Sequence, residues 1–549
     1  MRALFRVLAL VAAIALLGYG LVASSWDMLS GQGAVSYDGD SIWMLSVYAS
    51  CIPIGYLLFS LIPRQTIGWR RNACKIAAVL VVGFIVVSLQ LLRQQFVIAP
   101  ALASRPVESP EGPVLNPRTI AAEVRTQRGR VFDRRGRELA GRQVTPDGRV
   151  RRTYPVPEAS YLVGYYTANS PFNRGNSGLE SSYDNYLSGR AGNPVENARS
   201  RLLRQALVGS DLYLTLDAEL QRLAQRLLGG RRGAIIAMNP KTGEILAMAS
   251  SPAYNAADLA YNPDAAASAE EARLQRSWRE LTGDTQAARL LNRATQGLYS
   301  PGSTFKTVTA AAALDTGVAD PEKVYEDDGT FAVGGFVVQD PNRPDKSKTR
   351  WTFTEAYQYS LNAVFAQVGL EVGSAGMREY GRRFGYEREV PFDLPVRVSQ
   401  LESTPGFLSD QVALANTAYG QGQLLTTPLQ VLLTTATVAD GGTMPSPYLV
   451  NEVRTPGGRV VVRNRPGALG EAVVSPEVAR ELTRLMVTAV ESGSGRSARI
   501  EGLSVAGKTG TAQLGAGRNP HSWFTAFAPA ENPRVAVVVL IEHGGEGYR

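Results

Sequence analysis

Three apolar stretches, at residues 4–24, 42–62 and 76–92, restrict the first hundred positions more than any other feature. Each falls in the range of about 17–25 residues that crosses a bilayer as a helix. Buried helices of a soluble domain are the competing reading, but such helices are rarely apolar on every face. Loop charges orient the spans. Arg2 and Arg6 stand at the start of the first, and Arg64, Arg70, Arg71 and Lys75 lie between the second and third. The loop between the first and second carries Asp27, Asp38 and Asp40 and no Lys or Arg. Cationic ends stay inside, so the N-terminus is expected inside and everything after Arg93 outside. A cleaved signal peptide ending near Val22-Ala23-Ser24-Ser25 is the alternative for the first stretch, with the same exterior placement.

Composition narrows the chemistry available outside. Both cysteines, Cys51 and Cys74, fall in or beside the apolar stretches, so the exterior has no disulfide framework and no cysteine nucleophile. The only two histidines are His521 and His543, which removes a Ser-His-Asp hydrolase and a multi-histidine zinc site. No metal, cofactor or nucleic-acid partner is expected. The net charge of +8 reads as solvated arginine surface, with anionic lipid head groups or acidic polymers as the alternative.

Residues 107–118 are polar and proline-punctuated and read as a semi-extended linker. Residues 128–140 alternate charged and apolar side chains around an Arg-Gly turn and predict an exposed hairpin. Residues 178–187 predict one short amphipathic helix, with Leu179, Tyr183, Tyr186 and Leu187 at helical spacing. Together these suggest a small α+β module. Further on, 211–217 alternates like a strand and 218–228 reads as an amphipathic helix. Runs 233–238 and 244–249 flank Asn239-Pro240-Lys241-Thr242-Gly243, a hairpin signal, and 504–513, 523–528 and 535–542 are three more strand candidates. Two strands before the middle of the chain and three after it fit one antiparallel sheet. The intervening 265–500 is richer in helical patterns. The fold class is α+β, an antiparallel sheet with helices on its faces and a largely helical subdomain.

Ser303-Thr304-Phe305-Lys306, Ser360-Leu361-Asn362 and Lys508-Thr509-Gly510-Thr511 stand in that order. Pro301-Gly302 precedes Ser303, and 304–314 is apolar enough for a buried helix, which sets the serine at the positive end of a helix dipole. Lys306, three residues on, shares its face. A hydroxyl is a poor nucleophile until a base removes its proton. Lysine serves only if its pKa is lowered, by burial or a second cation, and Lys508 is the candidate cation. Arginine cannot take this role, and lysine is scarce in this arginine-rich chain, yet it occupies both motif positions. Ser360 and Asn362 lie on an apolar segment, 353–368, that reads as helix. A serine hydroxyl relays protons there, and an Asn amide binds both a carbonyl and a lysine. Lys508, Thr509 and Thr511 suit a substrate carboxylate, and Gly510 permits close backbone approach. An isolated Ser-x-x-Lys is weak evidence, but three ordered motifs are not. Lys241-Thr242-Gly243 is a decoy that sits in a predicted turn before the serine.

On these residues the chain resembles the class B penicillin-binding proteins, whose transpeptidase domain has the serine β-lactamase and D,D-peptidase-like fold. The likeness extends over about residues 125–543 and includes 128–140, 178–187, 239–248, 291–306, 420–429 and 522–529. It implies a membrane region at 1–95, a linker at 96–118, a non-catalytic pedestal at 119–205 and a transpeptidase domain at 206–549. It implies that Ser303 attacks the carbonyl between the terminal D-alanines of a peptidoglycan stem peptide and that Lys306 accepts its proton. Ser360 would pass a proton to the leaving D-alanine, Asn362 would orient substrate and Lys306, and Lys508, Thr509 and Thr511 would hold the terminal carboxylate. The N–H groups of Ser303 and Thr511 would form an oxyanion hole, and β-lactams would acylate Ser303. Two features depart from the family pattern: the two extra apolar segments, and an end at Arg549 without the usual final helix, which leaves truncation open. The stretch between Arg93 and the transpeptidase is too short for a glycosyltransferase, so a separate polytopic glycan polymerase is the implied partner. The alternatives are a class D-like β-lactamase or β-lactam sensor, which carries an apolar residue in place of Asn362, and a non-catalytic division scaffold.

Overall fold

The structure, a computed structural model, describes residues 2–29, 37–62, 68–93, 107–109, 112–114, 123–167, 175–191, 205–340, 343–515 and 517–547. The chain divides into two compact units, Met1–Ala121 and Ala122–Arg549.

The first unit holds three helices, Arg2–Leu29, Tyr37–Leu61 and Trp69–Arg93. The first two are tied by Arg6 Nε, which donates to Ser60 Oγ at 3.0 Å. Among the described residues one stretch, Trp69–Leu91, is long and apolar enough to cross a membrane. At about 1.5 Å rise per residue it reaches about 34 Å, against a hydrocarbon thickness of about 30 Å. The apolar parts of the other two, Ala3–Tyr19 and Leu45–Leu61, are shorter. In the expected linker, β1 (Val107–Ser109) and β2 (Gly112–Val114) pair antiparallel, and residues 115–118 lie outside the described residues.

The second unit contains two larger sheets. Strands β3 (Val131–Phe132), β4 (Glu138–Val144), β5 (Val150–Thr153) and β6 (Asp211–Leu214) come first in the chain. They are followed by β7 (Gly233–Met238), β8 (Ile245–Ser251), and the short β9 (Val324–Glu326), β10 (Thr330–Val333), β11 (Phe336–Gln339) and β12 (Arg350–Thr352). Strands β13 (Val450–Arg454), β14 (Val460–Arg463), β15 (Ala506–Ala512), β16 (His521–Ala528) and β17 (Val535–Ile541) complete the set. One sheet runs β14-β13-β6-β3-β4-β5 and the other β15-β16-β17-β7-β8. The second is the expected antiparallel sheet, with two strands from before the serine and three from after it.

The 128–140 segment forms a hairpin, exposed at its turn, 134–137, but buried along its strands. Val131, Leu139 and Ala140 are fully buried, and Arg128 is buried on Glu180. Arg128 Nη2 and Arg152 Nε approach the two Glu180 oxygens at 2.8 and 2.6 Å, and Arg128 Nη1 meets Asp184 at 2.7 Å. Of the segment's arginines only Arg128 is neutralised inside the module; Arg130, Arg134, Arg135 and Arg137 keep 39–66 % of their side chains exposed. The predicted helix at 178–187 is two short ones, Gly178–Ser182 and Asp184–Leu187, broken at Tyr183. Leu179 and Leu187 are still buried, as their spacing required.

The five-stranded sheet buries one face throughout, and the helix Ala218–Leu228 covers the other over β7 and β8. Ala234, Ile236, Met238, Trp523, Phe527, Ala536, Val538 and Leu540 alternate inward and are at most 1 % exposed. Three helices lie in this core: Lys306–Asp315, Pro428–Ala439 and Pro476–Ser492. The first is nearly all small or β-branched side chains, which lets it run through the interior buried on every side. Strand β15 is the outer strand of the sheet, so one row of its backbone groups is free to face other partners.

Candidate active site

Ser303 lies in a tight 3₁₀ turn, Gly302–Phe305, that runs directly into the helix Lys306–Asp315. The turn sits hard against β15, and glycines make this possible. Gly302 has φ +54°, and a Cβ there would stand 2.5 Å from Thr511 O. A Cβ on Gly510 would stand 2.9 Å from both Pro301 O and Thr304 Cγ2. Gly302 N–H donates to Gly420 O at 3.0 Å, and Trp523 Nε1 donates to Ser300 O at 3.0 Å. The serine is thereby held beside the strand from both sides.

The predicted helix 353–368 is interrupted in the middle of the second motif. A capping box between Thr352 and Glu355 starts the helix Phe353–Tyr359. It stops at Ser360, which adopts the left-handed conformation, φ 62° and ψ 44°, and a new helix, Asn362–Arg383, begins two residues later. A continuous helix would point Ser360 and Asn362 about 200° apart. The break lets both groups face Lys306.

Lys306 is fully buried. Its Nζ donates to Ser360 O at 2.6 Å, to Asn362 Oδ1 at 2.8 Å and to Ser360 Oγ at 3.3 Å, and lies 5.3 Å from the Phe365 ring centroid. Lys508, equally buried, donates to the same Ser360 Oγ at 2.8 Å and to Thr509 O at 3.2 Å. One hydroxyl therefore stands between two ammonium groups. Among the described residues neither lysine forms an ion pair, and burial without a contacting carboxylate penalises their charged forms. Burial pulls the Lys306 pKa well below the usual lysine range, and the negative charge of Asp340 opposes the shift. Burial pulls Lys508 down as well, and the charge of Lys306 adds to the effect. The second lysine expected from the sequence is next to the first, but burial, not the charge of Lys508, lowers the Lys306 pKa.

The Ser303 hydroxyl is partly buried and makes no hydrogen bond among the described residues. The three Lys306 protons are directed at Ser360 and Asn362, so Lys306 has to lose one of them before it acts as a base toward Ser303. Catalytic hydrogen bonds are often long before substrate arrives. On the other side, Thr511 O accepts from Gln421 Nε2 at 3.4 Å across the free edge of β15. In a strand the N–H and C=O of one residue leave by the same edge. The Thr511 N–H therefore points toward the serine turn, as an oxyanion donor must. Thr509 Oγ1 donates to Ser494 Oγ at 3.0 Å.

The fold thus gathers Ser303, Lys306, Ser360, Asn362, Lys508, Thr509, Gly510 and Thr511 at one edge of the sheet. The decoy Lys241 stays in the β7–β8 turn, exposed, with its Nζ on Asn532 Oδ1 at 2.5 Å. Sequence reasoning missed Ser494, Gln421, Gly420 and Asp340. The only available signal was the run 420–429, noted for its likeness and not for a role.

A family model for the penicillin binding protein transpeptidase domain matches residues 233–549. The peptidoglycan D,D-transpeptidase PbpA of Mycobacterium tuberculosis is 34 % identical over 456 residues, covering 78 % of this chain and 87 % of that protein. The imipenem acyl-enzyme complex of penicillin-binding protein A from M. tuberculosis superposes with a TM-score of 0.69 at 31 % identity, over 77 % of this chain and 94 % of that one. The D,D-transpeptidase domain of a peptidoglycan glycosyltransferase from Eggerthella lenta gives 0.67 at 33 % identity, over 77 % and 95 %.

Proposed function

The chain belongs to the class B penicillin-binding proteins, and from that premise we infer that it is a peptidoglycan D,D-transpeptidase and β-lactam target whose acylated residue is Ser303. The observation that carries the reading is the Ser360 hydroxyl held between Lys306 and Lys508. It offers a proton route that starts beside the nucleophile and ends on the strand edge where the substrate's terminal carboxylate would lie.

Neutral Lys306 takes the proton of Ser303 as Oγ bonds to the carbonyl carbon between the two terminal D-alanines of a stem peptide. The oxyanion is met by the N–H groups of Ser303 and Thr511. The proton passes by way of Ser360 to the departing amine, the C–N bond breaks, and D-alanine leaves. Asn362 holds Lys306 and the donor peptide, and Lys508, Thr509 and Thr511 hold the terminal carboxylate. An amine of a second stem peptide then attacks the ester, forms the cross-link and returns the proton to Ser303. A β-lactam follows the first half of this course and stops at the ester.

The domain division at 95, 118 and 205 belongs to the same proposal. So do a membrane region of three helices with the N-terminus inside, a catalytic part outside the cell membrane, and a separate glycan polymerase as partner. The placement of Arg2, Arg6, Arg64, Arg70, Arg71 and Lys75 supports the orientation. The test is incubation of the detergent-solubilised full chain with labelled penicillin. A long-lived adduct that maps to Ser303 and is absent in Ser303→Ala is expected. Rapid turnover of the drug would favour a β-lactamase, and no adduct a scaffold.

A further inference from the structure

The helix that begins at Asn362 has no cap of its own. Its N-cap residue is Leu361, which offers no side-chain acceptor, although the first N–H groups of any helix need partners. They find them 22 residues upstream. Asp340, directly after β11 and 4 % exposed, accepts from Asn362 N–H through Oδ1 and from Ala363 N–H through Oδ2. Its neighbour Gln339 offers its carbonyl to Asn362 Nδ2 at 3.4 Å. Asn362 is therefore gripped by its backbone on one side while its Oδ1 holds Lys306 on the other. A carboxylate at a helix N-terminus is favoured by the helix dipole and by charge-assisted hydrogen bonds.

We propose that Asp340 is a positioning residue for acyl transfer: it fixes Asn362 against Lys306 and supplies a negative charge that acts on the buried Lys306. This role rests on the reading of Lys306 as the base. The groups that face Asp340 are few. Lys306 is the cation whose charge acts on it. Asp327, 1 % exposed with Oδ2 unpartnered among the described residues, adds a like charge from the loop before β10. The Tyr419 phenol, held by Asn416, feels the Asp340 charge from the side of the helix Gln411–Ala418. Burial raises the Asp340 pKa, Lys306 and the two N–H donors oppose this, and Asp327 reinforces it. Asp340 in turn works against the burial that discharges Lys306. The carboxylate thus helps decide at what pH Lys306 is free to act.

The test uses the full chain in detergent, as wild type, Asp340→Asn and Asp340→Ala. The second-order rate of acylation by a fluorescent penicillin is followed from about pH 5 to about pH 9, with a thermal melt of each variant. In wild type the acid limb of the profile reports loss of the Lys306 proton coupled to the titration of Asp340, whose pKa burial raises to about 6. Asp340→Asn keeps an acceptor at the helix end but removes the charge that holds this proton, so the acid limb moves to lower pH. The plateau rate falls by about 10-fold to 100-fold in Asp340→Ala, because Asn362 loses its anchor. The loss is in the acylation step and not in reversible drug binding. An acid limb at the wild-type position in Asp340→Asn, or plateau rates within about threefold of wild type in both variants, overturns the proposal. Should Asp340→Ala fail to fold, the near-isosteric Asn variant decides alone. A wild-type chain that forms no adduct would instead overturn the transpeptidase reading.

Discussion

Ser360→Ala removes one oxygen from the centre of the site and leaves two buried ammonium groups short of an acceptor. The hydroxyl receives Lys508 Nζ at 2.8 Å and Lys306 Nζ at 3.3 Å. A hydrogen bond to a charged group contributes about 1.5–3 kcal/mol. The shorter contact counts in full and the longer one only weakly, so the static loss is about 2 kcal/mol, or about 30-fold in rate if felt only in the transition state. The hydroxyl is also the proton carrier, and loss of acid–base participation costs about 10²–10⁴-fold. Penicillin acylation should therefore fall at least about 100-fold, read as the second-order rate from gel fluorescence or stopped flow. Backbone conformation separates this effect from stability. Ser360 is left-handed at φ 62°, where a residue with a Cβ bears about 1–2 kcal/mol of strain that glycine escapes. Ser360→Gly should thus melt above Ser360→Ala and be just as inactive. Acylation within about threefold of wild type in either variant would refute the relay.

Lys306→Arg should slow acylation by about 10²–10⁴-fold, because guanidinium keeps its proton; retained acylation would sink the base assignment. Gly420→Ala should destabilise the chain and weaken adduct formation together. Gly420 has φ +91°, and a Cβ there would stand 1.8 Å from Gly302 O, which a melt and the same acylation assay will read. Glu180→Gln should cost about 3 kcal/mol, since it leaves Arg152 buried without its anion and Arg128 with Asp184 alone; denaturant unfolding measures it. Burial disfavours the Glu180 charge, but Arg152 and Arg128 outweigh it and hold its pKa below the ordinary carboxylate value. The associated stability is present above that ordinary value and drains away as pH falls through the lower folded-state pKa. Melting temperatures taken on acidification should therefore drop less steeply in Glu180→Gln than in wild type.

Much of this was legible from residue order alone. Strands β7, β8, β15, β16 and β17 alternate apolar residues or carry them in runs bounded by turn residues, so both their existence and their common sheet could be read. Lys306 and Lys508 were readable because arginine cannot do their work and lysine is rare here. The break at Ser360 was not. The segment around it carries enough apolar, helix-forming residues to read as one helix, and the left-handed turn is held by tertiary contacts that periodicity does not record. The burial of the 128–140 hairpin escaped for a related reason. Arg128 looks as solvent-bound as the other arginines until Glu180, some fifty residues away, is brought against it.

The sequence by itself determined the chemistry on offer: a serine with a lysine one turn away, a second lysine on a strand, only two histidines, and cysteines confined to the apolar N-terminal region. These are properties of residue type and local spacing. Only the tertiary structure decided that the Ser360 hydroxyl lies between both lysines, that Gly302, Gly420 and Gly510 bring the serine turn onto the strand edge, and that Asp340 anchors the helix behind Asn362. Those relations join positions far apart in the chain. They are set by packing, by backbone approach that only a missing Cβ permits, and by a helix end that has to find its acceptor somewhere.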